Sequence, residues 1–130
     1  MNGLHLIADL YRCQCSSELL TDRAVLETLC VEGCREAGLT PLGAYFYQFL
    51  HDDGQHAGVT GTVVLAESHL AIHTWPESGD VTLDVYVCNF SRDNSDRARE
   101  VFEHVIRTLK PSDSVCHEVV RGKISPEEHV

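Results

Sequence analysis

The chain has 130 residues, of which 43% are hydrophobic and 23% charged. That is enough for one buried core and a composition ordinary for a globular domain, which excludes fibrous and wholly disordered chains. Twenty acidic residues against ten basic ones give a net charge of -10, so nucleic-acid phosphates and anionic lipid repel the protein, while a cationic ligand is favoured.

No stretch approaches the roughly 18 apolar residues of a membrane span. The opening MNGLHLIADLYRC lacks the basic segment and long apolar run of a secretion signal. A cytoplasmic protein is expected, without nucleic-acid or membrane partners, its six scattered cysteines reduced.

Residues 4–11 alternate, with Leu4, Leu6, Ala8 and Leu10 on one face and His5, Asp9 and Tyr11 on the other, and predict a strand. A helix follows from Thr21, read as its N-cap, to Gly38 at C′, with Leu26, Leu29, Cys30 and Ala37 at helical spacing. Tyr45–Leu50 is β-prone and is followed by a polar loop, His51–Gly58. GTVVLAE and HLAIHTW read as two strands that meet near Glu67–Ser68, the second ended by Pro76 and Gly79. DVTLDVYVC has a period of two that puts Val81, Leu83, Val85 and Val87 on one face and Thr82, Asp84, Tyr86 and Cys88 on the polar one. Asn94 is placed to cap a second helix with the stripe Ala98, Val101, Phe102, Val105, Ile106 and Leu109, before a last strand, SVCHEVV, and a loose SPEEHV tail. Helices that interrupt runs of strands predict an α+β two-layer sandwich: a largely antiparallel sheet with two main helices on one face, in a single domain over 1–130.

Three patterns carry possible chemistry on their own. Cys13-x-Cys15, Cys30-x3-Cys34 and His69-x3-His73 are metal-ligand types, but none has a specific spacing, and Cys30 and Cys34 lie on a helical apolar stripe where thiols behave as small hydrophobes. GVTGT offers glycines but no lysine for a phosphate, so Gly58 and Gly61 read as a strand-entry turn. Cys88 with His73 as base would suit a thiol nucleophile if the fold brings them together.

The continuous segment GVTGTVVLAESHLAIHTWPE, with LDVYVC after it, resembles the prokaryotic S-adenosylmethionine decarboxylase family. Its ESH-x-x-IHTWPE block is matched by Glu67, Ser68, His69, Ile72, His73, Thr74, Trp75, Pro76 and Glu77, and its D-x-x-x-C strand by Asp84 and Cys88; HLIADLY is similar to the family's first strand. The resemblance runs over most of residues 4–120. It implies a proenzyme that cuts itself between Glu67 and Ser68 into a β chain, 1–67, and an α chain, 68–130, with Ser68 converted to a covalent pyruvoyl cofactor that takes the substrate as a Schiff base. Removal of carbon dioxide from an α-amino acid leaves an electron pair that no ordinary side chain can accept, which is why such a sink is needed.

By the same resemblance His73 is the processing acid/base and Cys88 the proton donor to the substrate carbon. Phe46 and Phe49 are offered to the adenine ring and Glu77 to the ribose hydroxyls, while Trp75 is left as packing. Thr60 stands where the family has the serine that supports processing, and SGDVT after Glu77 departs from the family's usual run. No metal is implied. The product feeds aminopropyl transfer in spermidine synthesis, and the expected assembly is a homodimer of αβ units. Two other readings fit the sequence: a pyruvoyl decarboxylase of arginine or ornithine, and a non-cleaving, non-catalytic binding subunit.

Overall fold

The computed structural model describes residues 1–90 and 92–122. In chain order the elements are β1 (Asn2–Cys13), α1 (Glu18–Thr21), α2 (Arg23–Glu36), β2 (Pro41–Leu50), β3 (His56–Leu65), β4 (Ser68–Trp75), β5 (Asp80–Cys88), α3 (Ser95–Leu109) and β6 (Pro111–Gly122). The strands form one sheet in the order β2-β3-β4-β5-β1-β6, every neighbouring pair antiparallel. This is the expected two-layer α+β arrangement, with one extra helical turn, α1.

Alternation decides which face of the sheet is covered. Leu4, Leu6, Ala8 and Leu10 of β1, Val59 and Val63 of β3, Leu70 and Ile72 of β4, and Val81, Leu83, Val85 and Val87 of β5 are buried in one core with Leu26, Cys30 and Cys34 of α2 and the Ala98, Val101, Phe102, Val105, Leu109 stripe of α3. Each fully buried Leu or Val side chain stabilises the fold by about 1.5–3 kcal/mol. The residues in between, among them His5, Thr60, His69, His73, Thr82 and Asp84, lie on the opposite face, which carries no helix among the described residues.

Local expectations need four corrections. Thr21 does not cap α2: it closes α1, its hydroxyl bonded to the Ser17 carbonyl, and Asp22 is the cap, its carboxylate accepting from the N–H groups of Ala24 and Val25. The loop after β2 is shorter than expected, because β3 already begins at His56 and pairs Leu50. Gly58 and Gly61 are therefore inside β3 and not in a turn. A Cβ at Gly58 would run into the Thr74 carbonyl, and one at Gly61 into the Phe46 ring, so both glycines admit close neighbours across the sheet.

Gly38 does follow α2 at positive φ, as a C′ glycine. Asn94 holds the N-cap position of α3, but its side chain makes no cap; its amide donates to the Cys88 carbonyl at 3.2 Å. The SPEEHV tail lies outside the described residues.

Candidate active site

The site is built at the two ends of β4. At its start, β3 and β4 are joined by a two-residue loop, Ala66–Glu67, with Leu65 and Ser68 as the last paired residues. Ser68 Oγ accepts a hydrogen bond of 3.3 Å from the Cys88 N–H at the end of β5. The Asn94 amide holds the carbonyl of that same residue, so the Cys88 backbone is fixed from both sides. Alternation along β5 sets the Cys88 side chain on the face of Asp84 and Tyr86, and its residue is only 9% exposed.

At the far end of β4, His73 pairs directly with Thr60 of β3, and His73 Nδ1 lies 3.1 Å from Thr60 Oγ1. These two border a cleft of about 330 Å³ together with Phe49, Trp75 and Glu77. Phe49 and Glu77 are thus beside His73. Phe46 is not: it is 4% exposed and belongs to the core, packed across Gly61 on the helix side. Trp75, expected as packing, is instead 43% exposed on the cleft rim.

Within one chain the two ends stay apart. Five residues of extended strand separate Ser68 from His73, a span of roughly 16 Å. Cys88 is six residues along β5 from Thr82, the Cα partner of His73, or roughly 20 Å. A Cys88–His73 thiolate pair within one chain is therefore excluded by geometry, since activation requires hydrogen-bond reach.

Sequence reasoning missed a cluster between these ends. Asp84 Oδ1 lies 3.0 Å from His5 Nε2 and 3.2 Å from His69 Nε2, with the Tyr86 ring against both imidazoles. Their ligand-type atoms are all within 4.8 Å of one another. Arg121 sits 3.1 Å from His5 Nδ1. A guanidinium can only donate, so Nδ1 accepts and the His5 proton is on Nε2, directed at Asp84. The cluster is a hydrogen-bond network centred on Asp84 Oδ1. The available signal was the shared polar face of His5, His69 and Asp84 on three neighbouring strands, but strand order cannot be read from a period of two.

Cys30 and Cys34 behave as the helical stripe predicts. Burial raises both thiol pKa values, that of Cys34 to about 11, so both stay protonated. Burial, with Cys15 and Asp80 adding repulsion, also pushes Cys13 to about 11.

A model of the family described as S-adenosylmethionine decarboxylase matches residues 4–122. The chain belongs to the S-adenosylmethionine decarboxylase family. It is 37% identical to a protein of Picrophilus torridus over 97% of this chain and 88% of that one, and 39% identical to one of Thermoplasma volcanium with the same coverage. It is 38% identical to one of Aquifex aeolicus over 98% and 86%. All three are named S-adenosylmethionine decarboxylase proenzyme. The crystal structure of the adenosylmethionine decarboxylase from Aquifex aeolicus superposes with a TM-score of 0.82 at 32% identity, covering 95% of this chain and 93% of that one. The family match takes in every element from β1 to β6, so the family's fold accounts for the whole sheet and both long helices.

Proposed function

We propose that this chain is a proenzyme that cleaves itself between Glu67 and Ser68 and then, as a homodimer, decarboxylates S-adenosylmethionine with a pyruvoyl group at position 68. Membership of the family supports the reaction. The observation that carries the residue assignment is Ser68 at an exposed hairpin, its Oγ against the Cys88 backbone and, among the described residues, engaged only as an acceptor. Its hydroxyl proton is therefore open to a base.

Ser68 Oγ adds to the Glu67 carbonyl carbon, the peptide C–N bond breaks, and the proton passes to the new amine, leaving an ester. Removal of the Ser68 Cα proton expels the Glu67 carboxylate, and hydrolysis of the resulting dehydroalanine releases ammonia. Residue 68 fits this conversion because a hydroxyl on Cβ supplies both nucleophile and leaving group. Once formed, the pyruvoyl carbonyl supplies the electron sink for loss of carbon dioxide.

The chain's own groups do the rest. His73 moves protons during processing, with Thr60 as its hydrogen-bond partner, and the Cys88 thiol delivers a proton to the substrate carbon. Phe49 and Trp75 offer aromatic faces to the adenine and the sulfonium, and Glu77 accepts from ribose hydroxyls. Phe46 acts behind them, as core.

Because Ser68 and Cys88 lie roughly 16–20 Å from Thr60 and His73 in one chain, one working site needs the Ser68–Cys88 end of one subunit and the Thr60–His73 end of its partner. The helix-free sheet face, on which His73, Asp84 and Cys88 all lie, is the surface that brings them together. The reading places the enzyme in the cytoplasm, where Cys88 stays reduced, and its product in spermidine synthesis. No helix of the described residues is long and apolar enough to cross a membrane.

Denaturing mass spectrometry of fresh protein, with and without a carbonyl reagent, tests the cleavage. Two chains split at 67/68, the second blocked and carbonyl-reactive, are expected; one persistent intact chain defeats the reading. Carbon dioxide release from labelled S-adenosylmethionine, against arginine and ornithine, tests the substrate.

A further inference from the structure

Glu67, the residue whose carbonyl is attacked, has φ of +60. Only two other non-glycine residues among those described share this left-handed region, Arg12 and Lys110. That of Lys110 is at the C-cap of α3, where such a conformation is common. Glu67 has no such reason.

The hairpin it closes makes the position odder. Two-residue β-hairpin loops favour type I′ turns, with positive φ at both residues, or type II′ turns, with positive φ at the first. Here the second alone is positive, which matches neither primed turn, at a place that favours glycine or asparagine. An L-residue with a long side chain stands where its own Cβ crowds the following carbonyl. The β3–β4 ladder imposes it: Thr62, Val63, Val64 and Leu65 are paired one by one with Ala71, Leu70, His69 and Ser68, which leaves two residues to reverse the chain. Val63, Leu65 and Leu70 are locked in the core, so the ladder cannot slip to relax the turn.

We propose that Glu67 is a positioning residue for self-cleavage through its backbone: the left-handed turn holds the Glu67–Ser68 peptide in a strained state that the acyl shift to Ser68 Oγ relieves. This rests on the processing reading above. In the shift the Glu67 C–N bond breaks, a C–O bond to Ser68 Oγ forms, and the hydroxyl proton passes to the Ser68 nitrogen. The chain reversal then no longer runs through a peptide bond between residues 67 and 68, and φ of Glu67 is free to return to negative values. An amide is ordinarily favoured over the isomeric ester. Strain present only in the amide moves that balance toward the ester, from which elimination proceeds.

The test is a pair of substitutions at one residue. Glu67→Gly removes the Cβ and with it the strain; Glu67→Gln keeps the Cβ and removes the charge. Precursor conversion is followed by intact mass after rapid purification, and the ester by hydroxylamine cleavage at the 67/68 bond. Glu67→Gly is expected to slow conversion and hydroxylamine cleavage roughly tenfold, which corresponds to about 1.4 kcal/mol and lies within the cost of a left-handed non-glycine residue. Glu67→Gln, which keeps the Cβ and that cost, is expected to be slowed less than Glu67→Gly.

A second arm reads the turn without cleavage. In a Ser68→Ala background, adding Glu67→Gly should raise the melting temperature by a few degrees, although glycine ordinarily lowers it through the unfolded chain. Wild-type conversion by Glu67→Gly, equal slowing by Gly and Gln, or a lower melting temperature for the glycine double variant would each overturn the inference. If wild type itself never cleaves, the processing reading fails, and the melting comparison still decides whether the turn is strained.

Discussion

Cys34 and Thr60 show how far a single side chain can be argued. The Cys34 thiol, buried against the sheet, is raised from an ordinary 9.0 to about 11. The folded state thus holds its proton more tightly than the unfolded chain. Its contribution to stability is complete below about pH 9 and is lost as the pH rises toward about 11. Melting temperature should fall over that window, and Cys34→Ala, less stable at neutral pH because of the cavity, should fall less steeply. Thr60 is judged by its partner. Thr60→Ala removes the hydroxyl hydrogen-bonded to His73 Nδ1 and should slow precursor conversion by about 10²-fold, the scale on which a positioned acid or base contributes. Thr60→Ser should restore it. The motif made both ends of β4 legible, and Phe46 and Phe49 were both offered to the adenine. Three residues apart in β2, they face opposite sides of the sheet, Phe46 in the core and Phe49 at the cleft, a difference that the period of two already carried.

Among the elements, the long helices and the clean strands were readable because their periods are set by one buried face, as in β5 and α3. The start of β3 was not. Gly58 and Gly61 look like turn punctuation, and their real reason, the Thr74 carbonyl and the Phe46 ring, lies in the pairing of β3 with β4 and β2. The start of α2 failed for a different cause: Thr21 and Asp22 are adjacent residues of capping type, and the short α1 uses Thr21 for itself. Asp22→Ala should therefore destabilise the protein by about 1 kcal/mol, seen as a lower denaturation midpoint. Thr21→Ala should cost less, since its hydroxyl serves only the one-turn α1.

For the whole molecule, the decisive fact is that one sheet carries the two halves of the proposed site, Ser68 and His73, at opposite ends of β4. A two-fold axis through the helix-free face would lay each Ser68–Cys88 end over the partner's Thr60–His73 end and make two sites per dimer. That geometry predicts complementation. Ser68→Ala chains lack the nucleophile, His73→Ala chains lack the processing base, and neither alone should cleave or decarboxylate. Co-expressed in equal amounts, half of the dimers are mixed, and each mixed dimer has one site in which an intact Ser68 faces an intact His73, so about a quarter of wild-type activity should return. The mass spectrum should show cleavage only of the chain that carries His73→Ala, because that chain supplies the serine. If each site were contained in one subunit, the mixture would stay silent in both assays, and the two ends of β4 would have to be joined by a rearrangement within the chain.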